Sequence, residues 1–396
     1  MELKNPLPAV SDTERSPAFY ETVLGLYLHI PFCKQKCVYC DFYSLPRREE
    51  DMDAYVSALE RQLARYAPAA ADRDVDSVYF GGGTPSYLGA ARLCRLLGGV
   101  RAAFRVLPQA EITFEANPDS AQDAEALSAL RRAGFNRVSL GMQSAAGAEL
   151  RSIGRIHTMA QVRASVEAAR RAGFDNLSLD LIYGLPGQSL SRWRENLAAA
   201  VELGPEHLSC YGLKAEPGTP LYARRDTLPG DEVQADMYLE TVDFLEGRGY
   251  RQYEISNFAK PGRESRHNLK YWTLGEYLGL GPGAHSDFQG RRFAWARDLE
   301  AFLRGEPPRS EDQAMTQRDR AEEWLMLSLR LVRGLDMAAW EERLGRPFAP
   351  FLPLLRRCEA AGYATQEGNR WRLTPRGFLL SNQIIGQLLA LLPPQP

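Results

Sequence analysis

Cys33, Cys37 and Cys40 form a CxxxCxxC run directly after the apolar stretch Leu26–Ile30. Cysteine is scarce, six residues in 396, and chance would produce such a run in about one chain in a thousand of this composition. Three thiolates on one loop suit a soft metal centre. Three protein ligands also leave a metal position open, and an open position is where a substrate can bind. A structural zinc site asks for four ligands, usually two separated pairs. His29 is a fourth donor only from four residues upstream, on an expected strand. A disulfide needs an oxidising compartment, and Cys94, Cys210 and Cys358 stand singly in apolar contexts, as small buried hydrophobes do. An iron–sulfur centre is the better account of the run.

A second group of residues stands where parallel strands end. Gly81-Gly82-Gly83-Thr84-Pro85-Ser86 follows an expected strand, and glycines let backbone approach a ligand closely. The loop lacks the Gly-Lys-Ser/Thr ending of a Walker loop; its plainer reading is a turn. Glu115, Gln143 and Asp180 close three further strands, with Arg155 shortly after Gln143. Each alone reads as a solvated surface residue. Four at equivalent places around one barrel mouth, beside a cysteine loop, read as a binding site. Carboxylates there can hold ribose hydroxyls or an ammonium group, and Arg155 a carboxylate. The third group is His267-Asn268-Leu269-Lys270-Tyr271-Trp272. A neutral imidazole is a usual axial ligand of heme iron, and flanking aromatics offer flat apolar faces. The competing reading is a satisfied core histidine with Tyr271 and Trp272 packed beside it.

These residues need a frame. Strand-like stretches at 76–80, 111–115, 137–140, 176–181 and 207–211 alternate with helical patterns at 53–65, 87–104, 123–133, 159–172 and 191–203. Arg-Arg-Ala-Gly-Phe occurs at 131–135 and again at 170–174, a period of one βα unit, each copy ending a helix at glycine. The fold class expected is α/β, a partial (βα) barrel, followed by a C-terminal helical, winged-helix-like domain with a hairpin turning at 367–369. The divisions expected are a tail (1–24), a barrel with the cysteine loop (25–235), a segment completing the barrel (236–315) and the C-terminal domain (316–396). Composition is ordinary for a globular chain, 44% hydrophobic and 25% charged. A net charge of −2 argues against a broad nucleic-acid surface. The first 21 residues lack the apolar core of a signal peptide, and no stretch has the length of a membrane span. A soluble, cytoplasmic protein is expected, monomer or dimer, with weak association with a membrane face left open.

The motifs together resemble a family. His29-Ile30-Pro31-Phe32-Cys33, Cys37-Val38-Tyr39-Cys40-Asp41-Phe42, the Gly81–Ser86 loop and Asp180-Leu181-Ile182-Tyr183-Gly184-Leu185-Pro186-Gly187 are similar to radical S-adenosylmethionine (SAM) proteins of the coproporphyrinogen-dehydrogenase-like group. The resemblance runs from about residue 25 to 381. It implies a [4Fe–4S] cluster on Cys33, Cys37 and Cys40, with SAM chelating the open iron. It also implies SAM contacts from Tyr27, Tyr39, Gly82, Gly83, Thr84, Glu115, Gln143, Arg155 and Asp180. Within the group, the dehydrogenase carries a further Cys two residues after its third cluster Cys, where this chain has Phe42. Residues 267–272 resemble instead the HNxxYW motif of the group's heme-chaperone members. That resemblance implies heme bound through His267, Tyr271 and Trp272, with His29 and His285 as competing iron ligands, and delivery to acceptor hemoproteins, respiratory ones foremost. The runner-up is oxygen-independent oxidation of coproporphyrinogen III, and a radical SAM methyltransferase comes third.

Overall fold

The computed structural model describes residues 23–305 and 307–392. All but the last two residues of the expected tail therefore lie outside the described residues. Six strands of the first half run parallel: β1 (Val23–Ile30), β2 (Asp74–Gly82), β3 (Arg105–Ala116), β4 (Arg137–Gln143), β5 (Leu177–Tyr183) and β6 (His207–Gly212). They pair in that order. Their cores are apolar; Leu24, Leu26, Leu28 and Ile30 of β1 are all fully buried. A seventh parallel strand, β7 (Tyr277–Leu280), pairs with the free side of β1.

The connecting helices cover the outside, as right-handed βα crossovers require. They are Met52–Tyr66, Ala90–Ala103, Ala124–Ala133, Met159–Arg171 and Leu190–Glu202. The helix expected over 87–104 is broken in two, Pro85–Leu88 and Ala90–Ala103, at Gly89 with φ +92°. The repeated Arg-Arg-Ala-Gly-Phe does end two helices at left-handed glycines, Gly134 and Gly173, before β4 and β5. Thr158 and Gln161 form a capping box at the second of those helices.

The barrel does not close. Beyond β6 the sheet continues antiparallel through Asn257–Ala259 and Arg251–Gln252. Beyond β7 it continues through His285–Phe288, Arg291–Trp295 and Arg309–Ala314. This twelve-stranded open wall is the partial barrel expected, but its antiparallel wings and the helix Asp231–Glu246 are additions to the sequence reading.

The C-terminal part holds a three-stranded sheet, Leu335–Asp336, Arg370–Leu373 and Ala364–Glu367, with the hairpin turning at Gly368 (φ +57°). Around it lie helices Gln317–Ser328, Met337–Leu344, Leu352–Ala360, Pro375–Leu379 and Ser381–Leu389, a winged-helix-like arrangement. The first starts seven residues before the apolar run Trp324–Leu331, because Thr316 and Asp319 form a capping box there. Trp324 stacks on Trp340 at 5.7 Å. Two backbone bonds fasten this part to the barrel, Ile255 N–H to Arg330 O and Val332 N–H to Tyr253 O, both 3.0 Å. Buried Arg320 also donates to buried Asp287 at 2.6 Å. Among the described residues no helix is long and apolar enough to cross a membrane.

Candidate functional site

Strand alternation builds the site. Side chains two apart share a face, so Arg137, Ser139, Gly141 and Gln143 of β4 all face one interior cavity, as do Asp180 and Ile182 of β5 and Ser209 and Tyr211 of β6. Tyr79 of β2 and Glu115 of β3 complete the wall. The cavity measures about 480 Å³. Its mouth lies at the C-terminal strand ends, under the loop carrying Cys33, Cys37 and Cys40, and all three cysteines line it.

The loop is held by backbone bonds. Val38 N–H donates to Ile153 O at 3.2 Å, Leu221 N–H to Val38 O at 2.9 Å and Leu45 N–H to Pro31 O at 2.6 Å. The three thiols are free of disulfides. Cys33 Sγ lies 3.4 Å from Thr84 Oγ1. Burial raises the Cys33 and Cys40 thiols, Thr84 partly offsetting it at Cys33, and the neighbouring thiols raise both further. Among the described residues no three His, Cys, Asp or Glu side chains form a single-ion site.

The glycine loop does bring backbone to the cavity. Gly82 has φ +111°, and its N–H donates to Glu115 Oε2 at 3.1 Å. A Cβ on Gly83 would lie 2.8 Å from the carbonyl oxygens of Ile30 and Phe32. Gln143 holds φ +61°, a left-handed backbone that is costly for a non-glycine residue and clusters at functional sites. Arg155 donates to Asn117 Oδ1 at 2.8 Å, while its Nε is buried without a partner. Burial works against the charge on Arg155, but Tyr39 and the three thiols outweigh it and hold the guanidinium above its usual range. Asp180 accepts from Ser139 Oγ at 3.0 Å, and burial raises its carboxyl.

Of the nine residues expected around SAM, eight line this one cavity: Tyr39, Gly82, Gly83, Thr84, Glu115, Gln143, Arg155 and Asp180. Tyr27 stands one layer back. Its ring stacks on Tyr79 at 6.2 Å and its hydroxyl lies 3.0 Å from His29 Nδ1. The reading from strand ends missed Tyr79, Asn117, Arg137, Ser139, Ser209 and Tyr211. Continuing the alternation back along β4 from Gln143 in steps of two would have found Ser139 and Arg137.

The second group of candidates behaves differently. His267 sits on the helix Arg266–Thr273 and is fully buried. Its Nδ1 lies 2.9 Å from Ser77 Oγ and its Nε2 2.8 Å from Tyr271 Oη. Its ring stacks on Tyr79 at 5.2 Å. Burial, with Lys270 nearby, lowers its pKa to about 3, so the imidazole is neutral. This is the packing of a satisfied core histidine, with both ring nitrogens engaged by neighbouring hydroxyls. Trp272 is half-buried on the same helix. Only Asn268 of the motif lines the cavity. His29 is also engaged, by Tyr27 and by Tyr43 O at 2.8 Å, whereas His285 is exposed.

Glu115 gives the site a measurable signature. Burial first, then Asp180, raises its pKa from 4.5 to about 7, against the pull of Tyr79 Oη and Gly82 N–H. The folded state therefore holds this proton more tightly than the unfolded chain. Stability falls as pH rises from about 4.5 through 7, by on the order of 3 kcal/mol for this group. Glu115→Gln is expected to raise the melting temperature at pH 8 and flatten the pH dependence, with a residual slope from Glu254, which burial also lifts to about 7. Melts of parent and variant at pH 5 and pH 8 check it; an unchanged difference between the two pH values would refute the assignment.

A parallel open barrel with three free thiols at its mouth defines a class. The radical SAM superfamily profile matches residues 27–200 and the HemN C-terminal domain profile residues 315–380. The structure superposes on coproporphyrinogen III oxidase (HemN) from Escherichia coli, described as a radical SAM enzyme, with a TM-score of 0.83 and 28% identity, covering 97% of this chain and 94% of that one. The chain is thus a radical SAM protein. It is 37% identical over 373 residues to the heme chaperone HemW of Escherichia coli (strain K12), covering 93% of this chain and 98% of that protein. Identity is 36% over 374 residues to HemW of Bacillus subtilis (strain 168), covering 92% and 98%. It is 38% over 381 residues to HemW of Mycobacterium tuberculosis (strain ATCC 25618 / H37Rv), covering 92% and 94%. The chain belongs to the HemW family.

Proposed function

We propose that this protein is a heme chaperone that carries a [4Fe–4S] cluster and SAM and hands heme to acceptor hemoproteins, respiratory ones among them. The observation that carries the reading is the single cavity lined by all three thiols and eight of the nine expected SAM residues. The donor set fits the cofactors. Three thiolates on a loop, without convergence on one ion, suit a cluster whose irons each take one ligand. The unpartnered Arg155 Nε beside that loop suits a carboxylate. Glu115 and Asp180 suit hydroxyl or ammonium donors. When bound, the reduced cluster would supply an electron to SAM. The protein's own part is to hold both under the loop, with Gly82 and Gly83 giving room for the ligand and Tyr79 and Tyr39 excluding water.

A second reading, coproporphyrinogen III oxidase, is favoured by the fit to HemN. Phe42, in place of a further Cys, and the motif at 267–272 weigh against it. Anaerobic reconstitution followed by heme titration, alongside coproporphyrinogen with SAM and reductant, separates the two. A stable heme complex without protoporphyrinogen formation supports the chaperone; turnover refutes it.

In this reading His267 binds iron by exchange. Its Nε2 would have to trade the Tyr271 hydroxyl for iron. Tyr271→Phe removes that competing bond but keeps the ring. A hydrogen bond of about 1 kcal/mol predicts roughly fivefold tighter heme binding. His267→Ala should abolish the axial-nitrogen signature in the absorption spectrum. If His285→Ala removes that signature and His267→Ala does not, the exposed His285 is the ligand.

A further inference from the structure

Arg137 opens β4 at the end of the cavity away from the cysteine loop. It is 1% exposed. Its Nε is sealed from water with no hydrogen-bond partner, and among the described residues its guanidinium has no ion pair within 4 Å. Glu115 and Asp180 feel its charge without pairing with it. A buried arginine is almost always paired, because leaving its charge uncompensated in a poor solvent is costly. Here the guanidinium lines an open cavity instead.

Its one motif-borne companion at the cavity is Asn268. That residue is half-buried, and its side-chain amide makes no hydrogen bond among the described residues. The motif's histidine and its first aromatic spend their polar atoms on each other, so the amide is what the motif presents to a ligand. The Arg155 guanidinium lies beside Gly141, four residues along β4 from Arg137, roughly 13 Å between those backbone positions at strand rise. The cavity therefore has a cationic group at each end.

We propose that Arg137 and Asn268 form a carboxylate subsite at the cavity floor, and that it receives a propionate of the porphyrin. This rests on the heme reading above. The planar guanidinium offers two parallel N–H donors to one carboxylate, and the Asn268 amide adds a third. The site would select porphyrins with free acid side chains over their esters.

The test titrates cluster-loaded, full-length protein with hemin and with hemin dimethyl ester. The parent should bind hemin at least tenfold more tightly than the ester, the scale of a charge-assisted hydrogen bond. Arg137→Gln should erase that preference by weakening hemin alone. Asn268→Ala should reduce it severalfold, and Arg137→Lys, which keeps the charge and loses the fork, should fall between. Equal binding of hemin and ester by the parent overturns the subsite and leaves the heme reading standing. Binding of neither overturns both. A preference retained in Arg137→Gln overturns the subsite; if that variant does not fold, a full preference in both Arg137→Lys and Asn268→Ala does so.

Discussion

Alanine at any one of Cys33, Cys37 or Cys40 is expected to take reconstituted iron from about four per chain to none, with sulfide lost in step. Each thiolate would hold one iron, and no spare cysteine is near: Cys94, Cys210 and Cys358 sit elsewhere in the fold, Cys210 on β6 and Cys358 in the C-terminal helix Leu352–Ala360. The barrel should survive, because the loop is tied by the main chain of Pro31, Val38 and Leu45 rather than by sulfur. Iron and sulfide assays with far-UV circular dichroism read both halves of the expectation. Iron and sulfide retained in all three variants would overturn the cluster assignment. Loss of the dichroism signal would instead show that the thiols matter to folding.

Gly82→Val should do damage on two levels. An added Cβ would lie 2.5 Å from His29 Cε1. His29 cannot easily yield, because its two nitrogens are held by Tyr27 and Tyr43. A β-branched residue at φ +111° adds backbone strain of roughly 1–3 kcal/mol. A glycine that lets backbone approach a ligand implies weaker SAM binding once a bulky side chain replaces it. The packing says that stability falls as well, and that SAM affinity falls more than tenfold because the Gly82 N–H loses its alignment on Glu115. Asp180→Ala separates the two effects. It removes a cavity carboxylate whose hydrogen bond comes from Ser139, with no backbone strain, and should weaken SAM while changing the melting temperature little. Calorimetry and thermal melts on cluster-loaded protein measure both. Parent-like SAM affinity in both variants would remove SAM from this cavity.

Much of this was legible from local pattern. Strand cores such as Leu26–Ile30, glycine-capped helices at Gly134 and Gly173, and the cysteine spacing are all short-range signals, and each appears where expected. The antiparallel wings were not legible. Arg309–Ala314 reads as polar and exposed, and only its pairing with Arg291–Trp295 makes it a strand. Nor was the fate of His267. Its ring is satisfied by Ser77, 190 residues away in the chain, and no spacing rule reports such a partner. Arg137 was passed over for the opposite reason. It lies at the start of a strand, where a site is not usually sought, and only the depth of the cavity makes it a wall residue.

The position of β1 has a consequence for how the protein is made. This strand leads into the cysteine loop, yet one of its two neighbours is β7, about 250 residues later. At ribosomal rates of roughly 5–20 residues per second, the thiols emerge some 13–50 s before the wall behind them can be completed. If the proposed cluster is built against a finished wall, iron would load on the released or nearly finished chain. Until then the three cysteines depend on the reducing power of their surroundings rather than on the fold.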